Sequence, residues 1–212
     1  MADRGKPVWF ITGCSTDFGR QIAHEVLGRG WQAVVTARDP STLADLVAES
    51  PENALAVPLD VTEHDQVRAA VLEAEARFGG IDVLVNNAGH FYGAPIEEGE
   101  DAEVREMFNV NVFALADVIR TVLPGMRRAR RGHIVNIVSV RGLNSVPGSG
   151  YYAATKLAVE ALSEALGKEV APFGIKVLAV EPSVFHADFT EKPTDRRLRT
   201  DRRAPQATQK MT

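Results

Sequence analysis

Short apolar runs alternate along the chain with longer segments whose apolar positions recur at helical spacing. Val8-Trp9-Phe10-Ile11 has the pattern of a buried strand and closes at Thr12-Gly13. Phe18, Ile22 and Val26 then share one stripe of a helix predicted from Phe18 to Leu27 and stopped by Gly28 and Gly30. The same alternation predicts a strand at Ala33-Val34-Val35, a short helix from Thr42 to Val47 ended by Pro51, and a strand from Ala54 to Leu59. Val67, Val71, Ala74 and Phe78 mark the next helix, and Ile81 to Val85 the next strand. A long helical region follows from about Asp101 to Arg131, with a bend expected at Pro124. A strand from Ile134 to Val138, a helix from Tyr151 to Val170 and a strand from Ile175 to Val180 complete the pattern. Six repeats of strand and helix imply a parallel sheet with helices on both faces, joined by right-handed crossovers. Such a sheet binds ligands beyond the carboxyl ends of its strands, so chemistry is expected after Ile11, Val35, Val85, Val138 and Val180.

Composition narrows the classes further. A chain of 212 residues, 45% hydrophobic and 25% charged, suits one ordered domain. Twenty-four basic against 28 acidic side chains leave a net charge of -4, which offers no general attraction for nucleic acid or an anionic membrane. Cys14 is the single cysteine, so no internal disulfide forms, and no Cys/His spacing suggests a metal site. No run of 18 apolar residues is present, and the apolar run near the N-terminus is too short for a signal-peptide core. The expectation is a soluble cytoplasmic globular domain. From Thr190 onward seven basic side chains face three acidic ones, and residues 190–212 are read as a solvated basic tail outside a domain spanning 1–189.

Three constellations fall at the expected strand ends. Thr12-Gly13-Cys14-Ser15-Thr16-Asp17-Phe18-Gly19 links the first strand to the first helix, where glycines let backbone amides approach a pyrophosphate. Asn86-Asn87-Ala88-Gly89 follows the fourth strand, and Tyr152-Ala153-Ala154-Thr155-Lys156 lies on a predicted helix. Four residues apart, Tyr152 and Lys156 share a helix face, and an ammonium beside a phenol favours the phenolate. Proton exchange with a substrate oxygen then becomes practical.

In this order the motifs resemble the short-chain dehydrogenase/reductase family, with its Thr-Gly-x3-Gly-x-Gly loop, its Asn-Asn-Ala-Gly turn and its Tyr-x3-Lys pair. The resemblance runs from Lys6 to about Phe189. It implies a Rossmann-like doubly wound α/β fold with strand order 3-2-1-4-5-6 and a nicotinamide cofactor. It also implies a catalytic tetrad of Asn111, Ser139, Tyr152 and Lys156. Ser139 would bond the substrate oxygen, Lys156 would support Tyr152 and hold the nicotinamide ribose, and Asn111 would hold a relay water. Cofactor contacts would come from Gly13, Ser15, Thr16, Asp17, Phe18 and Gly19 in the loop, from Asn87, Ala88 and Gly89, and from Pro182 and Ser183. Asp60 and Val61 would flank the adenine. Arg38 follows the second strand, with Ala37 where NAD-preferring relatives carry an acid, so the implied cofactor is NADP(H).

The chain also departs from that pattern. Asp17 occupies the middle glycine of the loop, Ser183 replaces the glycine after Pro182, and Ala187 stands where many relatives carry a threonine. All three fall on the cofactor side, which implies weakened NADP(H) binding. The seventh strand usual in the family has no counterpart, leaving Ile175–Val180 as a sheet edge. A homodimer is expected through the helices of Asn111–Arg131 and Tyr151–Val170, with contacts drawn from Val118, Val122, Leu157, Ala161 and Ala165, some of which must instead face the sheet, and with Ser183 to Phe189 or a partner chain over the edge. The main reading is a ketoreductase-type oxidoreductase. An alternative is a cyclase, dehydratase or isomerase that keeps Ser139, Tyr152 and Lys156 without net hydride transfer, and a third is a catalytically silent binding protein. His90, Phe91, Tyr92, Val140, Arg141 and Asn144 are expected to border the substrate pocket.

Overall fold

The computed structural model describes residues 5–140 and 145–182. Six parallel strands, β1 (Val8–Ile11), β2 (Gln32–Ala37), β3 (Ala54–Pro58), β4 (Val83–Asn86), β5 (Gly132–Ile137) and β6 (Ile175–Val180), form one sheet in the order β3-β2-β1-β4-β5-β6. Reversal of strand order between β1 and β4 opens the crevice in which such folds bind ligands. Among the described residues β6 has no neighbour on its outer side, and Leu178 on it is 57% exposed. The covering expected from Ser183 to Phe189 lies outside the described residues, as do Ala187, Arg141, Asn144 and the tail 190–212.

Helices cover both faces because each carries an apolar stripe with nowhere else to go. On one face α1 (Asp17–Gly28) and α2 (Ala44–Glu49) bury Ala23, Val26, Leu27 and Leu46 against Ile11, Val35 and Val85. On the other, α3 (His64–Phe78), α5 (Leu115–Ala129) and α6 (Gly150–Val170) bury Val67, Val71, Val118, Val122, Met126 and Val159 against Phe10, Leu84 and Ile134. The stripe of Val67, Val71, Ala74 and Phe78 predicted from the sequence packs into this second core.

The region from Asp101 to Ala129 differs from the single bent helix expected. It is α4 (Asp101–Phe108), one π-helical turn over Asn109–Ala114, and then α5. Pro124 sits inside α5, and the irregular turn falls at Asn111 instead. By length and composition this stretch could cross a bilayer, yet Met107, Val112, Leu115, Val118, Ile119, Val122 and Met126 are spent on the protein core. Val118 and Val122 are 1% and 2% exposed, so of the five candidate contacts these are the two that face the core. Leu157, Ala161 and Ala165 on α6 do face solvent.

A buried polar chain fixes how β4, β5 and α6 meet. Asn86 and Asn136 are register partners on β4 and β5, and Asn86 Nδ2 donates to Asn136 Oδ1 at 2.9 Å. Asn136 Nδ2 donates to Ser163 Oγ at 2.8 Å, and Ser163 donates onward to the Val159 carbonyl at 2.7 Å. Hydrogen bonds of this kind are costly to leave half-made in a core, so they specify one strand register and one helix rotation.

Candidate active site

The loop between β1 and α1 is tied to the turn after β4 by Thr12 and Asn87. Thr12 Oγ1 accepts from the backbone N–H groups of Asn87 and Ala88, each at 3.0 Å, and donates to the Val85 carbonyl at 3.3 Å. Asn87 Nδ2 donates to the carbonyls of Thr12 and Gly13 at 3.0 and 2.8 Å. Gly19 is required by this closeness, because a Cβ there would lie 2.3 Å from the Gly13 oxygen and 2.4 Å from Asn87 Nδ2. Gly13 has φ +72° and its Cβ would approach the Ala88 Cα to 3.0 Å. Cys14 is wholly buried beneath the loop, its thiol donates to the Ile11 carbonyl, and burial pushes its pKa up to about 12. It is filler rather than a nucleophile.

Asp17 begins α1 with φ +54°, the left-handed backbone that the family's glycine would take. Aspartate is among the few residues that tolerate it, so the turn survives the substitution. Its Oδ2 accepts from Thr16 Oγ1 at 3.2 Å, and its charge sits where the helix dipole favours an anion. Ser15 and Thr16 are exposed on the outer rim, and Phe18 is half-buried.

Beyond β2, Arg38 is exposed while Asp39 accepts from the Ser41 N–H at 3.0 Å, capping the next turn rather than partnering Arg38. Asp60, after β3, accepts from the Thr62 amide and hydroxyl at 3.0 and 2.7 Å. Burial opposes its ionisation, but the Thr62 hydrogen bonds and the Arg38 charge outweigh that and hold the carboxyl below its usual range. Val61 is half-buried beside it.

The catalytic candidates meet at the ends of β4 and β5. Tyr152 and Lys156 lie on one buried face of α6, with Lys156 Nζ 5.6 Å from the Tyr152 ring centroid. Lys156 is 7% exposed, donates to the Ile137 carbonyl at 2.9 Å, and is brought down to about 8 by burial. A β-carbon on Gly89 would sit 3.9 Å from that ammonium, so this glycine leaves the backbone close to it. Ser139 is half-buried just past β5. Asn111, 2% exposed in the π turn, spends its side chain on His90: Oδ1 accepts from the His90 N–H at 2.7 Å and Nδ2 donates to the His90 carbonyl at 2.8 Å. The Asn111 amide is thus engaged with the His90 backbone. Phe91 packs edge-on to the Tyr152 ring at 5.1 Å, whereas the Tyr92 hydroxyl accepts from the Glu100 N–H at 3.0 Å and serves its own loop. Thr12 and Thr155 stand outside the residues that the resemblance implies, although both hydroxyls bind the site together; their place inside the motifs is the available signal. Pro182 is half-buried at the end of β6, and Ser183 lies outside the described residues.

A glycine-rich loop after β1 and a buried lysine–tyrosine pair on α6 thus lie together at the carboxyl ends of the parallel strands. The chain belongs to the short-chain dehydrogenase family: the family model for short chain dehydrogenase matches residues 7–197. It is 40% identical over 181 residues to a 3-ketodihydrosphingosine reductase of Bacteroides thetaiotaomicron, covering 85% of this chain and 65% of that protein. To Oxidoreductase BOA17 of Botryotinia fuckeliana it is 37% identical, covering 86% and 67%. A crystal structure of a short-chain dehydrogenase from Streptomyces avermitilis superposes with a TM-score of 0.83 at 44% identity, covering 87% of this chain and 68% of that one. The chain therefore spans about two thirds of the length of these relatives. Their names do not favour the non-redox alternative.

Proposed function

We propose that the chain forms the catalytic core of an NADP(H)-dependent oxidoreductase that interconverts a carbonyl compound and its alcohol, with Tyr152 as general acid–base. The observation that carries this reading is the buried Lys156 ammonium held 5.6 Å from the Tyr152 ring at the strand ends. A bound nicotinamide cofactor supplies the hydride. The residues fit such a group: Gly13, Ser15, Thr16, Phe18 and Gly19 would hold its pyrophosphate at the start of α1. Arg38 would pair with a 2′-phosphate, Asp60 and Val61 would border the adenine, and Asn87, Ala88, Gly89, Pro182 and Ser183 would line the remaining groove. Asp17 places a second anion near the pyrophosphate, and two like charges about 4 Å apart cost on the order of 1 kcal/mol in water.

In reduction Tyr152 gives its hydroxyl proton to the substrate oxygen, and in oxidation it takes that proton back. Lys156 stabilises the phenolate formed between the two, and Ser139 orients the carbonyl by a hydrogen bond. Asn111 holds the π turn and the His90 backbone beneath them. The name of the Bacteroides relative, a reductase of a keto compound, supports a carbonyl substrate at Tyr152, beside the Phe91 ring.

Fluorescence titration with NADPH and NADH tests the reading. NADPH should bind more tightly; no binding of either at millimolar concentration overturns it, and preference for NADH overturns the role of Arg38. A homodimer through the solvent-facing Leu157, Ala161 and Ala165 of α6 belongs to the same proposal. Light scattering should give twice the chain mass of 23.0 kDa, and four times that mass refutes it.

A further inference from the structure

Thr155 carries no role in the reading above, yet it is the residue through which two parts of the site touch. It is wholly buried on α6, one position before Lys156 and three after Tyr152. Its Oγ1 donates to the Tyr152 carbonyl at 2.7 Å and accepts from Asn111 Nδ2 at 3.1 Å. A side-chain amide nitrogen has two hydrogens. Here one goes to the His90 carbonyl and the other to Thr155, while Oδ1 takes the His90 N–H. The amide is used on every side that these partners face, and a flipped amide would set oxygen against the His90 carbonyl.

Neither half of this arrangement is explained by helix formation. A threonine hydroxyl bonded back to its own helix competes with the backbone and tends to bend the helix. A buried valine would fill the same volume with no polar group to satisfy. What the hydroxyl adds is the connection: loop after β4, His90 backbone, Asn111 in the π turn, Thr155, and the carbonyl of Tyr152 itself.

We propose that Thr155 is a positioning residue, whose hydroxyl locks the Tyr152–Lys156 turn of α6 to the π turn and the loop after β4 and thereby sets the distance between phenol and ammonium. The proposal rests on the acid–base reading of Tyr152, and the experiment separates the two. Tyrosinate absorbance reads Tyr152 directly, because the chain has three tyrosines and subtracting the curve of Tyr152→Phe removes the other two. The titration is run without ligand, over the pH range in which far-UV circular dichroism is constant.

In the wild type, Tyr152 should lose its proton in a step coupled to that of Lys156, at least about one pH unit below the ordinary phenol near 10. Thr155→Val should return it by about half of that displacement or more, and Thr155→Ser, which keeps the hydroxyl, should leave it in place. If Thr155→Val does not fold, Thr155→Ala removes the hydroxyl without added bulk and carries the same expectation. A depressed wild-type value that neither variant moves, or that Thr155→Ser moves equally, overturns the role of Thr155 and leaves the acid–base reading standing. An ordinary wild-type value overturns both. A loss of stability without a change in the Tyr152 titration marks Thr155 as structural only and likewise overturns the proposal.

Discussion

The two ends of the crevice are built on different principles. At the β1–α1 loop the determinants are backbone: a left-handed turn, a glycine with no room for a Cβ, and carbonyls held by Asn87. At the β4–β5–α6 end they are side chains: an amide, a hydroxyl and an ammonium, all buried and each engaged with a named partner. At the first end Asp17 takes a left-handed turn, which aspartate is among the few residues to tolerate. The second gathers Asn111, Thr155, Tyr152 and Lys156 through named side-chain contacts. Backbone geometry tolerates any side chain that can adopt it, whereas a proton path depends on the atoms themselves.

The largest expected effect breaks the catalytic end while sparing the fold. Tyr152→Phe should lower kcat by about 10²–10⁴-fold, the usual worth of a positioned acid–base group, with cofactor affinity and urea midpoint nearly unchanged. Steady-state kinetics beside urea melts check it, and a variant within threefold of wild-type kcat removes Tyr152 from the chemistry.

Lys156 should show that the same end is held against stability. Its pKa lies near 8 in the folded chain, below the ordinary 10.5, because burial disfavours the charge. Below pH 8 the ammonium is charged in both states and the folded state bears the full penalty. Between pH 8 and 10.5 the unfolded chain holds the proton and the folded chain does not, so this group's contribution to stability rises with pH. Lys156→Met should therefore be inactive yet more stable at pH 7, by up to about 3 kcal/mol. That gap should close as pH rises through the same window, as urea melts at pH 7 and pH 10 would reveal. A variant less stable than wild type at pH 7 contradicts the burial argument.

Within the glycine loop, two positions two residues apart should respond with opposite signs. Gly19→Ala forces a methyl onto the Gly13 carbonyl and should cost about 1–3 kcal/mol of stability together with most cofactor affinity. Asp17→Gly should tighten NADPH by tenfold or more, about 1.4 kcal/mol. Calorimetric titration decides the second, and an unchanged Kd retracts the repulsion between Asp17 and pyrophosphate.

Most of the fold was legible because strand and helix periods are local properties. Val8–Ile11 and Ile175–Val180 have the strand bounds read from the sequence, and α6 begins one residue from its predicted start. The π turn was not legible. Apolar periodicity continues through Asn109–Ala114, and Pro124 was the visible breaker. The proline nevertheless lies within α5, while the turn forms where Asn111 reaches the His90 backbone twenty-one residues away. Which of Val118, Val122, Leu157, Ala161 and Ala165 face the core was not legible for a related reason: periodicity marks an apolar stripe but not which of two available partners covers it.

The sequence by itself determined the alternation of strand and helix, the motifs at the strand ends and the pairing of Tyr152 with Lys156, since each follows from spacing within one element. It also determined that Asp17 could replace a glycine, because left-handed tolerance belongs to the residue. Only the tertiary structure decided that Asn111 spends its amide on His90, that Thr155 joins Asn111 to Tyr152, and that Asn86, Asn136 and Ser163 form one buried chain. Those bonds link atoms brought together by sheet order and helix rotation, and a polar group commits to a partner only after packing has removed the water that would otherwise serve it.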